Sequence, residues 1–487
     1  MKKASFLLVL FFALATAVLP AQDDYNCFTV LVGKKASADG AVLFAHNEDD
    51  YGKQLVNWYV VPRKEYTEGS EFQLKGGALV GQYPFTGKYI WLEIPGMDFS
   101  DSYLNEYGVC IGSNSCSSRE DKPDITNGGI GYNLRQLMAE RAVSARDAVV
   151  MAGMLIEQFG YTGSGRTYCI ADPNEAWALA VVKGKHWVAQ RIPDDQVMVL
   201  PNNYTIAEVN LNDMENFLSC PDLIDYAVSR GWYNPSVDGP FNFRKAYAAK
   251  NSISNPGNVN RAWAAYHLFE TAFQIKDDFP FSFKPDKPVT KTFLMGLLRN
   301  HHEGTVLDKS DNYNNGSPYK LNGSMICGNG TVYGFVTELR NWMPVDLGCV
   351  MWLAPQWPDL QPFIPLYAGT TDFPDAFSRP GYLTSIQDHY NPPTDIHERN
   401  NQHAFWAFVN FSDLMNASYG PNIEFVRKIH LKPERKLLST QASLEKKLLL
   451  IHAKSPQECS ETVTSLYSRM ALDALKVTRK STGKLDK

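Results

Sequence analysis

Residues Tyr25 to Asp50 read YNCFTVLVGKKASADGAVLFAHNEDD. Two short apolar runs, Phe28 to Val32 and Ala41 to Ala45, flank a polar connection that ends in Asp39-Gly40, a pair that favours a hairpin turn. Cys27 stands at the head of the first run, and His46-Asn47-Glu48-Asp49-Asp50 closes the second. Antiparallel pairing brings the outer ends of a hairpin together. Asp49 or His46 is therefore expected to reach the Cys27 amine or thiol, although Cys27 and Asp49 are 22 positions apart.

A thiol needs a base before it acts as a nucleophile. If the Asn26–Cys27 bond is cut, the α-amine of Cys27, with an ordinary pKa near ~8, becomes that base. Asp49 or His46 would then hold the ammonium or favour the thiolate. The same residues also fit a buried or disulfide-bonded cysteine beside a solvated acidic turn or a calcium-binding loop.

Upstream, Lys2 and Lys3 precede the apolar run Phe6 to Val18, which is short for a membrane span, and Leu19-Pro20-Ala21 ends it. This pattern predicts a cleaved signal peptide over 1–21, a pro-segment over 22–26, and a secreted or periplasmic chain. No later stretch is long and apolar enough to insert stably in a membrane. The 487 residues are 44% hydrophobic and 20% charged, a globular composition. The formal net charge of −5 argues against nucleic acid or an anionic membrane as the main partner. Of the eight cysteines, seven remain beside Cys27, an odd number that cannot all pair within one chain.

The rest of the chain mixes strands and helices. Strands are expected at Leu55 to Val61, Tyr89 to Ile94, Gly108 to Gly112, Thr167 to Ala171, Ala176 to Val182, His186 to Gln190, Val197 to Leu200, Val332 to Leu339 and Gly348 to Leu353. Helices are expected at Leu134 to Val143 and Ala145 to Phe159, the second opened by Ser144 with Asp147 completing a capping box. Leu218 to Glu270 reads as helices broken by Pro235, Pro240 and Pro256. The chain from about Asp395 reads as mostly helical.

The segments CFTVLVGKKASADGAVLFAHNED, NEYGVCIGSN, RAVSARDAV, YCIADPNEAWALAVVKGKHWVAQRIPDDQVMVLPNNY, FRKAYA, LRNHHEGT and ELRNWMPVDLGCVMWLAPQWPDLQPFIPLYAG together resemble, in order, the dipeptidase A family of cysteine peptidases. These are N-terminal-nucleophile hydrolases, distantly similar to bile salt hydrolases and penicillin V acylases. The resemblance runs from Cys27 to about Gly369. It implies an α+β fold, an αββα sandwich of two antiparallel sheets between helix layers. The expected organisation is a catalytic domain over 27–390 and a helical C-terminal extension over 391–487. It also implies hydrolysis of a dipeptide through a thioester on Cys27, without metal or organic cofactor.

By resemblance, Asp49 holds the new ammonium and Asn202 supplies the oxyanion hole, with Asn203 as the neighbouring alternative and Asn114 as a second donor. Arg244 lies in a segment that carries an arginine in the relatives. The arginine that the related acylases carry three residues before the aspartate is His46 here, which weakens electrostatic help to the thiolate. Glu48 and Asp50 are expected to read the ammonium of an unblocked dipeptide. Two other readings remain, an amidase of bile salt or penicillin type and a non-catalytic cell-envelope binding protein. A homo-oligomer is possible. His301-His302-Glu303 invites a metal reading, which the alternation of a strand and the missing HExxH motif argue against.

Overall fold

The structure, a computed structural model, describes residues 26–50, 54–321, 323–378 and 386–485. The expected signal peptide over 1–21 and all of the expected pro-segment over 22–26 except Asn26 lie outside the described residues.

The opening hairpin forms as expected, with β1 (Phe28–Val32) antiparallel to β2 (Val42–Asp49). Gly40 takes a φ of +87°, which its missing Cβ permits. Both strands are buried along their whole length, which explains continuous apolar runs in place of alternation. They lie inside a six-stranded sheet ordered Val197–Leu200, β1, β2, Thr331–Leu339, Cys349–Pro355 and Ile364–Tyr367, with every neighbouring pair antiparallel. A second antiparallel sheet of eight strands runs Phe217–Ser219, Trp187–Arg191, Ala176–Gly184, Tyr161–Ala171, Cys110–Ser115, Ser102–Asn105, Tyr89–Glu93 and Asn57–Val61.

Strand alternation sorts the hairpin's side chains between two cores. Leu31, Val42 and Phe44 face the second sheet, while Phe28, Val30, Val32, Leu43 and Ala45 join a separate cluster with helix residues such as Ala262, Leu294 and Leu298. Helices α1 (Asn133–Arg141) and α2 (Ala145–Phe159) accompany the eight-stranded sheet, and α2 packs on three of its strands. Helices Pro256–Leu268 and Lys291–Leu298 cover the six-stranded sheet. The architecture is thus the αββα sandwich that the sequence implied.

The Ser144 hydroxyl accepts from the Asp147 N–H at 3.1 Å, while the Asp147 carboxylate takes the N–H of Val143 at 3.0 Å, one residue earlier than a capping box requires. Helix α1 stops at Arg141, so Val143 is exposed outside it. Pro256 opens a helix instead of breaking one, because its missing N–H has no partner to lose in a first turn. From Ala404 onward the chain is helical, and its last two long helices, Lys432–His452 and Pro456–Leu485, pack against each other.

Candidate functional site

Cys27 and Glu48 sit opposite each other, one step beyond the Phe28–Asn47 pair, on the face turned to the second sheet. The Cys27 thiol is 3.3 Å from Glu48 Oε1 and 3.6 Å from the Asp49 carbonyl oxygen. Glu48 Oε2 is 3.0 Å from His46 Nε2, and His46 Nδ1 is 2.7 Å from Thr29 Oγ1. Thr29 Oγ1 lies 2.6 Å from Asn114 Oδ1, which belongs to the strand Cys110–Ser115 of the other sheet. The hairpin and the sheet stacking thereby produce one hydrogen-bonded chain from Asn114 to the thiol.

The protons of this chain follow from its ends. Asn114 Nδ2 donates to the carbonyls of Leu200 at 3.0 Å and Pro201 at 3.3 Å, so Oδ1 must face Thr29. The Thr29 hydroxyl then donates to Asn114 and accepts from His46 Nδ1–H. One proton is left between His46 Nε2 and Glu48 Oε2. Burial, followed by the guanidiniums of Arg135 and Arg166, pushes His46 down to about 3. Burial pushes Glu48 up to about 8 against the opposing pull of the same two arginines. The pair is therefore neutral below that pH, with a carboxylic acid donating to an imidazole. Burial, and then Glu48 and Asp49, push the Cys27 thiol well above its ordinary value, while Arg166 pulls the other way.

Asp49 takes different neighbours. Thr331 Oγ1 donates to its Oδ1 at 2.6 Å, and its buried Oδ2 has no hydrogen-bond partner among the described residues. A Cβ on Gly328 would stand 3.2 Å from that oxygen, so the glycine keeps the space beside the carboxylate open. Burial pushes Asp49 up to about 8. Asn26, the residue before the thiol, is held by its side-chain oxygen, which accepts from Arg261 Nη1 and from Ser324 Oγ at 3.0 Å. Arg261 Nη2 also donates to Asn202 Oδ1 at 2.8 Å, and Asn202 Nδ2 donates to the Ser115 carbonyl at 3.1 Å.

The structure thus gathers Cys27, His46, Glu48, Asp49, Asn114 and Asn202 around the start of β1. Asp50 is buried beside them but accepts from Ser100 Oγ. Glu48 is engaged by the thiol and His46, so neither acid assigned to a substrate ammonium is without a protein partner. Arg244 is elsewhere. It pairs with Asp278 at 2.5 Å and lines, with Asn203, a separate cavity of about 340 Å³.

Sequence reasoning missed Thr29, Arg135, Arg166, Arg261 and Thr331. Arg135 and Arg166 both donate to Ser113 Oγ, at 2.9 and 3.0 Å. Their one sequence signal is a charge set in otherwise buried stretches, NLRQLM and GRTYCIA. His301 and His302 lie in a turn after the helix Lys291–Leu298, not in a strand, and His302 has a φ of +69°. His301, Cys327 and Asp359 bring potential ligand atoms within 4.8 Å of one another. The Asp359 carboxylate there accepts from the Tyr419 and Tyr319 hydroxyls, and His301 Nδ1 lies 3.1 Å from Glu303.

The family described as peptidase family C69 matches residues 26–432. A probable dipeptidase from Salmonella dublin is 27% identical over 374 residues, covering 74% of this chain and 84% of its own length. Dipeptidase A from Lactobacillus helveticus is 26% identical, covering 72% of this chain and 77% of its own. A probable dipeptidase B from Streptococcus pyogenes serotype M1 is 24% identical and covers 93% of this chain and 89% of its own. A solved structure of a conjugated bile acid hydrolase from Clostridium perfringens covers 70% of this chain and 92% of its own, at 13% identity and a TM-score of 0.32.

Proposed function

Because the chain belongs to peptidase family C69, we propose that it hydrolyses unblocked dipeptides with Cys27 as an N-terminal nucleophile. The observation that carries this reading is the pair of groups around Cys27. Its thiol lies against Glu48, and the Asp49 carboxylate next along β2 keeps one buried oxygen unpartnered among the described residues. A buried carboxylate oxygen without a donor is costly, so the group either keeps a proton or takes a cation. Cutting Asn26–Cys27 creates such a cation, the α-ammonium of Cys27. Asn26 is gripped by Arg261 and Ser324, which fixes the bond to be cut.

In the mature enzyme the α-amine takes the thiol proton, and the thiolate attacks the carbonyl of the first residue. Asn202 Nδ2 turns from the Ser115 carbonyl to the oxyanion, a donor worth about 3 kcal/mol in sites of this kind. The protonated amine gives its proton to the leaving amino acid, and water then attacks the thioester with the same amine as base. Asp49 keeps that amine in place. The leader read from the sequence over 1–21 and the short pro-segment after it support a secreted or periplasmic setting for this chemistry.

The test is mass spectrometry of the active protein's N-terminus together with a dipeptide panel. The expected mature chain begins at Cys27, Cys27→Ala keeps Asn26 and releases no amino acid. An active enzyme that still carries Asn26 removes the amine from the mechanism.

A further inference from the structure

A cavity of about 500 Å³, within the usual range for small-molecule sites, opens beside the thiol's neighbourhood. Its wall includes Ser115, Tyr161, Arg166, Lys75 and Asp98. Two contacts tie it to the site already described. The Ser115 carbonyl accepts from Asn202, and Ser115 directly follows Asn114, the far end of the chain that leads to Cys27. Arg166 pairs with Ser115 across the two adjacent strands, and its charge is felt at both Cys27 and Glu48.

Arg166 is the unusual wall residue. It is only 5% exposed, yet all its hydrogen-bond partners are neutral. Nε donates to the Tyr161 hydroxyl at 3.2 Å, and Nη1 donates to Ser113 Oγ at 3.0 Å and the Phe99 carbonyl at 3.3 Å. The Phe99 ring lies 5.4 Å from its guanidinium carbon. Nη2 donates to no described residue. The other cation on the wall, Lys75, is already paired with Asp98. A buried guanidinium held by neutral partners, with a donor to spare on a cavity, is suited to receive an anion.

We propose that Arg166 reads the α-carboxylate of the substrate, so that this cavity holds the leaving amino acid of a dipeptide. The inference rests on the dipeptidase reading and adds which terminus is recognised, and by what. In a dipeptide the α-carboxyl carbon lies three bonds from the carbonyl carbon that the thiolate attacks. A cation whose field already reaches Cys27 is suitably placed for it. The acids near Cys27 are taken up by the protein, whereas Arg166 keeps a free donor. Arginine also suits the task because its planar fork meets a carboxylate with two parallel hydrogen bonds, which a lysine cannot do.

The test compares, for the dipeptide the wild type cleaves fastest, kcat/KM for the free acid and for its C-terminal amide. Amidation removes one partner of a buried charge pair, and a fall on the order of 10²-fold is expected, mostly in KM. Arg166→Met should bring acid and amide to within about threefold of each other, and Arg166→Lys should restore part of the preference. Loss of the arginine also perturbs the thiol, but that effect is common to both substrates and cancels in the ratio. Inhibition of the wild type by the free product amino acid, and its absence with the amino acid amide, gives the same reading without a variant. Equal cleavage of acid and amide by the wild type, or an unchanged ratio in a folded Arg166→Met, overturns the assignment. Failure to cleave any dipeptide instead overturns the reading on which it rests.

Discussion

Replacing Asp49 by asparagine should act with opposite signs before and after the chain is cut. Before the cut, Asp49 is a buried acid pushed by burial from its ordinary 3.8 up to about 8. A folded-state value above the unfolded one means that the folded protein binds the extra proton. The carboxyl therefore does no harm below the unfolded value, and its burial lowers stability progressively as pH rises through both values. Four decades at about 1.36 kcal/mol each set a ceiling of roughly 5–6 kcal/mol at high pH. Relaxation and water entry around a buried charge reduce this to an expected difference of about 2–3 kcal/mol. In a Cys27→Ala background, which keeps the chain uncut, Asp49→Asn should gain that much in urea unfolding at pH ~8.5. The two proteins should be alike near pH ~4. After the proposed cut, the same carboxylate is expected to face an ammonium. Losing one partner of a buried charge pair costs about 2–4 kcal/mol, or roughly 30- to 1,000-fold in turnover. Mass spectrometry of Asp49→Asn separates lost catalysis from lost processing. The reasoning is refuted if the variant turns over normally with Cys27 as its first residue. It is also refuted if the uncut pair shows the same stability at both pH values.

Four further outcomes follow from the contacts. His46 is pushed down to about 3 by burial and by Arg135 and Arg166, so its ring resonances should stay constant in NMR spectra from pH ~5 to ~7, below the titration of Glu48 at about 8; a titration near 6 would show that the imidazole is charged. Because its folded value lies below the unfolded one, His46 should also withdraw stability as pH falls from about 6.5 towards 3, read by chemical denaturation. Thr29→Val leaves His46 Nδ1 and Asn114 Oδ1 unpaired in the interior, an expected loss of about 2–4 kcal/mol in urea unfolding, and a loss under 1 kcal/mol would show that the two sheets are not joined there. Glu445→Ala removes the carboxylate that takes two 2.8 Å bonds from Arg340 and one of 2.7 Å from the Tyr367 hydroxyl, so stability should fall by about 3–5 kcal/mol, whereas a near-neutral result would make the C-terminal helices a dispensable addition.

The part of this site that was legible in the sequence is the part a hairpin makes local. Cys27 meets Glu48 because β1 and β2 are consecutive and joined by a turn whose chemistry is written in Asp39-Gly40. Helix α2 was legible for a similar reason, since Ser144 and the periodic run after it are contiguous. The arginines were not. Arg135 comes from a helix and Arg166 from a strand of the facing sheet, and their charges reach His46 and Glu48 only when the sheets stack. Periodicity gives the face on which a side chain lies but not which face of another sheet it will meet. His301 and His302 show the converse error, because strand alternation was applied to a segment that folds as a turn with positive φ.

The same stacking bears on the histidine at a position where the related acylases carry an arginine. A cation near the thiol does not need to come from residue 46, because Arg166 reaches it from across the interface and opposes part of the larger upward push of burial, Glu48 and Asp49. With Arg135 beside it on Ser113, the local charge is already high, and a third cation at 46 would be repelled by both. A neutral imidazole is what this field permits, and a neutral imidazole can accept the Glu48 proton where an arginine could only donate. Moving the cation from β2 to the facing sheet therefore changes two things together. Thr29, His46 and Glu48 become a continuous hydrogen-bonded path to the thiol, and the charge that favours the thiolate comes to line the adjoining cavity.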